Sequence, residues 1–384
     1  MIRQSIIRAA TYFTTGYLIL WMCIFPLRAQ ADIPPTERAF LINLFNDTGG
    51  AKWTDKTGWL GATGTECDWD GVICYGADTH VNGLVLGNNN LVGKIPELSA
   101  LSALEFIDLH SNKLTGTLPA LASLTHLQSV IVSNNNISGT IPSLSGLLAF
   151  QVFEADSNSL TGSIPAFTNL PLLQEFSASA NQLTGSIPPL DGLFTLIRFS
   201  VAGNQLSGNI PELAGLSNLQ YFYVDSNRLV GSIPTLTELS SLYTFSCSNN
   251  LLTGSIPSLS GLTQLITFDA HNNKLSGSMP PIAGNASLGY FFVSGNALTG
   301  SISAIAGLDN LLEITLANNN LTGSVPAAPA NLTPGASSLC LNELNTTASS
   351  NDARWDAATG FKPWWANPYK NNKCDDIFTS KFGG

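Results

Sequence analysis

Apolar and polar positions follow one long period, not the short period of a lone helix or strand. Asn recurs at 89, 112, 135, 158, 181, 204, 227, 250, 273, 296 and 319, and every interval is the same. A Gly stands four residues after each, from Gly93 to Gly323. A Pro stands seven residues after each, except at Ser303. The unit reads LxxLxLxxNxLxGxIPxLxxLxx, as in Leu265–Leu288. Each unit predicts one short strand around its LxL and a second short strand ending near the Pro. One unit alone cannot bury its apolar face; stacked units share a continuous core.

The core positions compensate in volume. Phe153, Phe176, Phe199, Phe222, Phe245, Phe268 and Phe291 each lie five residues before the Asn. Two residues later come Ala155, Ala178, Val201, Val224, Cys247, Ala270 and Val293. Large beside small keeps packing density constant. Cys247 is therefore expected in the core. The repeated Asn side chain can bond backbone groups of adjacent turns, the Gly permits positive φ or close approach, and the Pro fixes the exit.

The LTGSIP segment, as in Leu252–Pro257, makes the unit resemble a plant-type leucine-rich repeat, one residue shorter here than is usual for that subclass. The resemblance implies an α/β-type solenoid: a right-handed superhelix with short parallel strands on a concave face and irregular or 3-10 segments on the convex face. It also implies an extracellular receptor-like or polygalacturonase-inhibitor-like ectodomain without a kinase. The expected layout is a signal peptide (1–31), an N-terminal cap (32–80), eleven repeats (81–334), and a degenerate twelfth repeat with a C-terminal cap (335–384). In the twelfth, Asn342 is in register but Thr346 replaces the Gly. In the N-terminal cap, ERAFLINLF has helical apolar spacing, and Trp53, Trp59 and Trp69 follow. Cys67 and Cys74 resemble the pair that forms a disulfide in such caps. Cys340 and Cys374 are expected to staple a tail containing Trp355, Trp364 and Trp365.

The segment 1–31 carries arginines, the apolar run YLILWMCIF and Ala29-Gln30-Ala31, a signal-peptide pattern. The run is about half the ~20 residues of a membrane-spanning helix, and no later stretch is long enough. Removing it takes three arginines and no acid, so the net charge of −10 becomes −13. This acidity argues against nucleic acid. Export suits a disulfide at each end and a buried Cys247. No metal, cofactor or catalytic motif is present. The expected state is a secreted or extracellular monomer, with periplasmic or cell-surface association left open.

Function is expected on the outward strand positions, six, four and two residues before each Asn. One cluster there is acidic: Asp108, Glu154, Asp156 and Glu175. The other mixes aromatics with polar groups: Tyr221, Tyr223, Asp225, Asp269, His271, Tyr290 and Phe292. Aromatics beside charges are common recognition anchors. The leading expectation is a non-catalytic protein that binds a protein or peptide, with Asp108, Asp225 and Asp269 selecting a basic one. A cell-wall glycan is a further candidate ligand. One alternative, from the resemblance, is inhibition of a secreted cell-wall-degrading hydrolase. Another is ice binding through convex hydroxyls: Thr115, Thr161, Thr184, Thr253, Thr299 and Thr322 in one line, and Thr117, Thr140, then Ser163 to Ser324 in the next. Sequons occur at Asn46, Asn136, Asn285, Asn320, Asn331 and Asn345.

Overall fold

The computed structural model describes residues 33–75, 80–282, 284–347 and 349–365. The expected signal peptide and Cys374 lie outside them. The chain forms two compact units, the first ending at Leu173 and the second starting at Gln174. This division falls inside the expected repeat array.

In the first unit, Val72–Cys74 runs antiparallel to Val81–Val85, and Phe106–Asp108, Ser129–Ile131 and Val152–Glu154 follow in parallel. In the second, Glu175–Ser177, Arg198–Ser200, Tyr221–Tyr223, Thr244–Ser246, Thr267–Asp269, Tyr290–Phe292 and Glu313–Thr315 stack in parallel. Tyr221 pairs with Thr244 and Thr244 with Thr267, so the sequence period is the sheet register. Residues of equal phase therefore form lines with rungs about 4.8 Å apart. Each unit is a β-solenoid.

The expected solenoid of short parallel strands with irregular convex segments is present, and it carries little helix. Among the described residues, α-helix occurs only at Pro35–Asp47 and Asp352–Thr359, in the caps. The backs of the coils carry irregular chain and short parallel strands such as Ser207–Asn209 with Arg228–Val230. A Gly and a Pro in nearly every coil prevent a helix from extending there.

Phe176, Phe199, Phe222, Phe245, Phe268 and Phe291 are fully buried. Their rings stack at 5.3–5.7 Å with interplanar angles of 10–20°. Cys247 is buried among them, and desolvation pushes its thiol pKa well up. The Asn ladder holds the turns. Asn204 Oδ1 accepts from the Leu183 amide at 2.9 Å, and its Nδ2 donates to the carbonyls of Ala178 (3.0 Å) and Val201 (3.1 Å). Asn342 continues this pattern onto Leu316 and Leu339. Gly139 has φ 77°, and a Cβ there would lie 2.7 Å from Thr117 Cγ2. Both expected properties of the repeated Gly are thus in use.

In each unit the segment expected as a cap carries buried aromatics. Phe45, Trp53, Trp59 and Trp69 form one aromatic cluster beside the Cys67–Cys74 disulfide. Trp355 is fully buried and donates from Nε1 to the Pro326 carbonyl at 2.8 Å. Trp364 is also buried. Cys340 is disulfide-bonded.

Candidate ligand-binding face

The strands Arg198–Ser200, Tyr221–Tyr223, Thr244–Ser246, Thr267–Asp269 and Tyr290–Phe292 set out the main candidate site. Alternation puts Phe222, Phe245 and Phe268 inward and their neighbours outward. Tyr221 and Tyr223 are half-buried, with near-parallel rings 6.4 Å apart. The Tyr243 ring lies 6.0 Å from that of Tyr221. The Tyr221 hydroxyl pKa is raised, first by burial and then by the neighbouring Tyr223 and Tyr243. The Arg198 guanidinium sits 5.3 Å from the Tyr223 ring centroid, a cation–π contact. Its Nε is 3.1 Å from Glu175 Oε1 but makes no directed hydrogen bond. Two strands with small side chains follow, bearing Thr244, Ser246, Thr267 and Asp269. Tyr290 and Phe292 lie beyond, with rings 6.1 Å apart.

Sequence phase placed Asp225, Asp269, His271 and Phe292 outward as ligand contacts; the structure encloses the Asp225 carboxyl, nearly buries His271 and Phe292, and pairs Asp269 with His271 while leaving it partly exposed. Asp225 Oδ1 accepts from Ser246 Oγ and, at 2.9 Å each, from the amide and hydroxyl of Ser248. The residue is half-buried but its carboxyl is enclosed. Burial raises its pKa, against the lowering by the serine bonds. Asp269 Oδ1 holds His271 through the backbone amide at 3.1 Å and Nδ1 at 2.6 Å, while Asn249 Nδ2 faces His271 Nε2 at 3.2 Å. His271 and Phe292 are each only 7% exposed.

In the first unit, Asp108 Oδ1 holds His110 in the same way, at 3.1 Å to the amide and 2.5 Å to Nδ1. Asn88 Nδ2 faces His110 Nε2 at 2.7 Å. The Asp108 hydrogen bond leads in raising the His110 pKa; Glu154 adds to it and burial opposes. Gly87 makes room for the imidazole, since a Cβ there would lie 2.3 Å from the ring. Glu154 and Asp156 are half-buried on this face. Asp108 and Glu175 are thus already paired, with His110 and Arg198.

Two residues of the aromatic site were missed. Arg198 lies on an expected outward line, six residues before Asn204, and nothing in the repeat phase singles it out. Tyr243 lies seven before its Asn, outside the outward triplet. The available signal was a single aromatic in a line that holds Gln128, Gln151, Gln174 and Gln220 beside Asn82, Glu105, Ile197, Ile266, Gly289 and Leu312.

On the other strand face, Thr115, Thr161, Thr253 and Thr299 donate to the Gly carbonyl of the preceding coil at 3.1–3.3 Å. The second line, including Thr117, Thr140, Ser186 and Ser255, is exposed. Among the described residues, no group of three or more His, Cys, Asp or Glu could hold a metal ion. None of the helices there is long and apolar enough to cross a membrane.

Residues 126–148 match the sequence model of the Leucine Rich Repeat family. The solved plant peptide hormone receptor RGFR1, in complex with RGF2, superposes with a TM-score of 0.62 and 30% identity. The chain has the fold of a leucine-rich-repeat solenoid, and residues 126–148 are one such repeat. That alignment covers 68% of this repeat protein and 47% of the receptor chain. The Arabidopsis thaliana receptor-like kinase TMK4 is 30% identical over 115 residues, 30% of this chain but 10% of the kinase. A plant ice-binding protein superposes with a TM-score of 0.62 over 83% of this chain and all of its own, at 23% identity, which speaks to fold alone. This repeat protein thus spans about a tenth of its curated relative and about half of the receptor chain.

Proposed function

We propose that this protein is a secreted, non-catalytic recognition protein whose sheet face in the second unit binds an extended peptide segment of a partner. The observation that carries this reading is the half-exposed cluster of Tyr221, Tyr223 and Tyr243 beside two strands with small polar side chains. Tyr presents a rigid apolar ring and a hydroxyl at small entropic cost, so it anchors interfaces efficiently. The likeness to a receptor described as binding a peptide hormone supports it. The test is binding of peptides and secreted proteins to the full chain and to a Tyr221→Ala/Tyr223→Ala/Tyr243→Ala variant. Capture by the wild type and loss in the variant, with unchanged melting, is expected. Equal capture by both would refute the reading.

A second reading, ice binding, rests on the exposed second hydroxyl line, whose rungs repeat at about 4.8 Å. It predicts that Thr117→Leu/Thr140→Leu abolishes ice shaping while peptide capture persists. An ice-growth assay in which the wild type shows no effect would dismiss it.

A further inference from the structure

Resting on that reading, we infer that the site recognises a peptide of mixed charge, with an acidic side chain on Arg198 and a basic side chain at Asp269, four residues apart. The charged groups of the face are sorted by their partners. The Asp225 carboxyl is enclosed by its bonds to Ser246 and Ser248 and offers little to a ligand. Asp269 gives Oδ1 to His271, yet its side chain stays 16% exposed, in line with Phe292 on the next strand and Tyr223 two strands back. An acid with the Phe292 ring paired on the next strand suits a Lys or Arg side chain, through charge and cation–π attraction.

Arg198 is the opposite pole. Its side chain is 37% exposed and lies over Tyr223. Its partner Glu175 is also 29% exposed, and the Nε between them lacks a directed hydrogen bond. Such a pair is weak, so a ligand carboxylate can use the remaining guanidinium donors at little cost. The Tyr223 ring holds the guanidinium in place, which lowers the ordering cost of binding.

Spacing sets the register. Arg198 and Asp269 lie three strands apart, and the guanidinium leans one strand toward Asp269, onto Tyr223. The two charges are therefore separated by about 10–14 Å at 4.8 Å per strand. An extended chain rises about 3.4 Å per residue and shows alternate side chains to one face. Residues i and i+2 span only about 7 Å, whereas i and i+4 span about 14 Å and face the same way.

The test is selection of a displayed random decapeptide library on the full-length protein, in parallel on Arg198→Glu and on the triple Tyr variant. The expected result is at least tenfold enrichment of an acid and a base four residues apart on the wild type. On Arg198→Glu, where Glu175 adds to the negative charge, the acid should be exchanged for Lys or Arg. Arg198→Gln, which should simply lose the acidic preference, serves if Arg198→Glu melts early. Enrichment without this charge pair, or the same pattern on wild type and Arg198→Glu, would overturn the inference while leaving peptide recognition intact. No enrichment over the triple Tyr variant would overturn both.

Discussion

Asp108 Oδ1 lies 2.5 Å from His110 Nδ1, and seven repeats later Asp269 Oδ1 lies 2.6 Å from His271 Nδ1. In each case an Asn amide from the preceding coil faces Nε2. The carboxylate raises the His110 pKa above its ordinary 6.5. A raised histidine pKa gives stability that is full below the unfolded value and lost as pH rises through the folded one. The stability advantage of wild type over His110→Gln should therefore shrink on going from pH 5 to pH 8. An NMR titration should place the His110 midpoint above 6.5; one at or below it contradicts the pairing.

Phe222 stacks between Phe199 and Phe245 at 5.6 and 5.3 Å and is fully buried. Phe222→Ala should destabilise the protein by about 3–5 kcal/mol, from lost burial plus a cavity. Urea unfolding checks this, and an unchanged midpoint would show that the stack contributes nothing.

Asn204→Ala would leave the Leu183 amide and the Ala178 and Val201 carbonyls without their side-chain partner. Each buried group left unpaired costs about 1–3 kcal/mol. A loss above about 2 kcal/mol is expected, against almost none for Gln205→Ala. Equal midpoints for the two variants would show that the ladder adds no stability.

Burial raises the Asp225 pKa. A carboxyl whose folded pKa exceeds its unfolded value contributes stability below the unfolded value, lost as pH rises through the folded one. Asp225→Asn keeps an acceptor for Ser246 and Ser248 without the charge. It should melt at or above wild type at pH 7, with any gain smaller at pH 3. Asp225→Ala should cost about 1–3 kcal/mol at pH 7. Melting of Asp225→Asn below Asp225→Ala would contradict the enclosure.

Asn285 is 2% exposed and donates to the carbonyls of Leu259 (2.8 Å) and Leu262 (3.1 Å). Asn136 and Asn320 are exposed. Glycopeptide mapping after folded protein is treated with an oligosaccharyltransferase should find sugar at the exposed sequons and none at Asn285. Full occupancy there would place Asn285 at the surface.

The repeat, the Phe spine, the core place of Cys247 and the Cys67–Cys74 pair were all legible, because each depends on phase within the repeat or on its likeness to a known cap. The outward position of Tyr221 and Tyr223 was legible from phase as well. Phase failed for Asp225: it marks the side chain as outward but says nothing of Ser246 and Ser248, which reach it from the next coil. It failed likewise for Phe292, which is outward by phase and 7% exposed in fact.

The amino-acid sequence alone determined the coil, its strand register and its core, since a regular period repeats one set of backbone contacts in every turn. Only the tertiary structure decided which outward groups remain available to a ligand. That depends on contacts between side chains one repeat apart along the chain, where Glu175, Arg198 and Tyr223 meet and Asp225 turns to its serines. Those contacts arise from the particular side chains on neighbouring strands, and the repeat pattern leaves them unspecified.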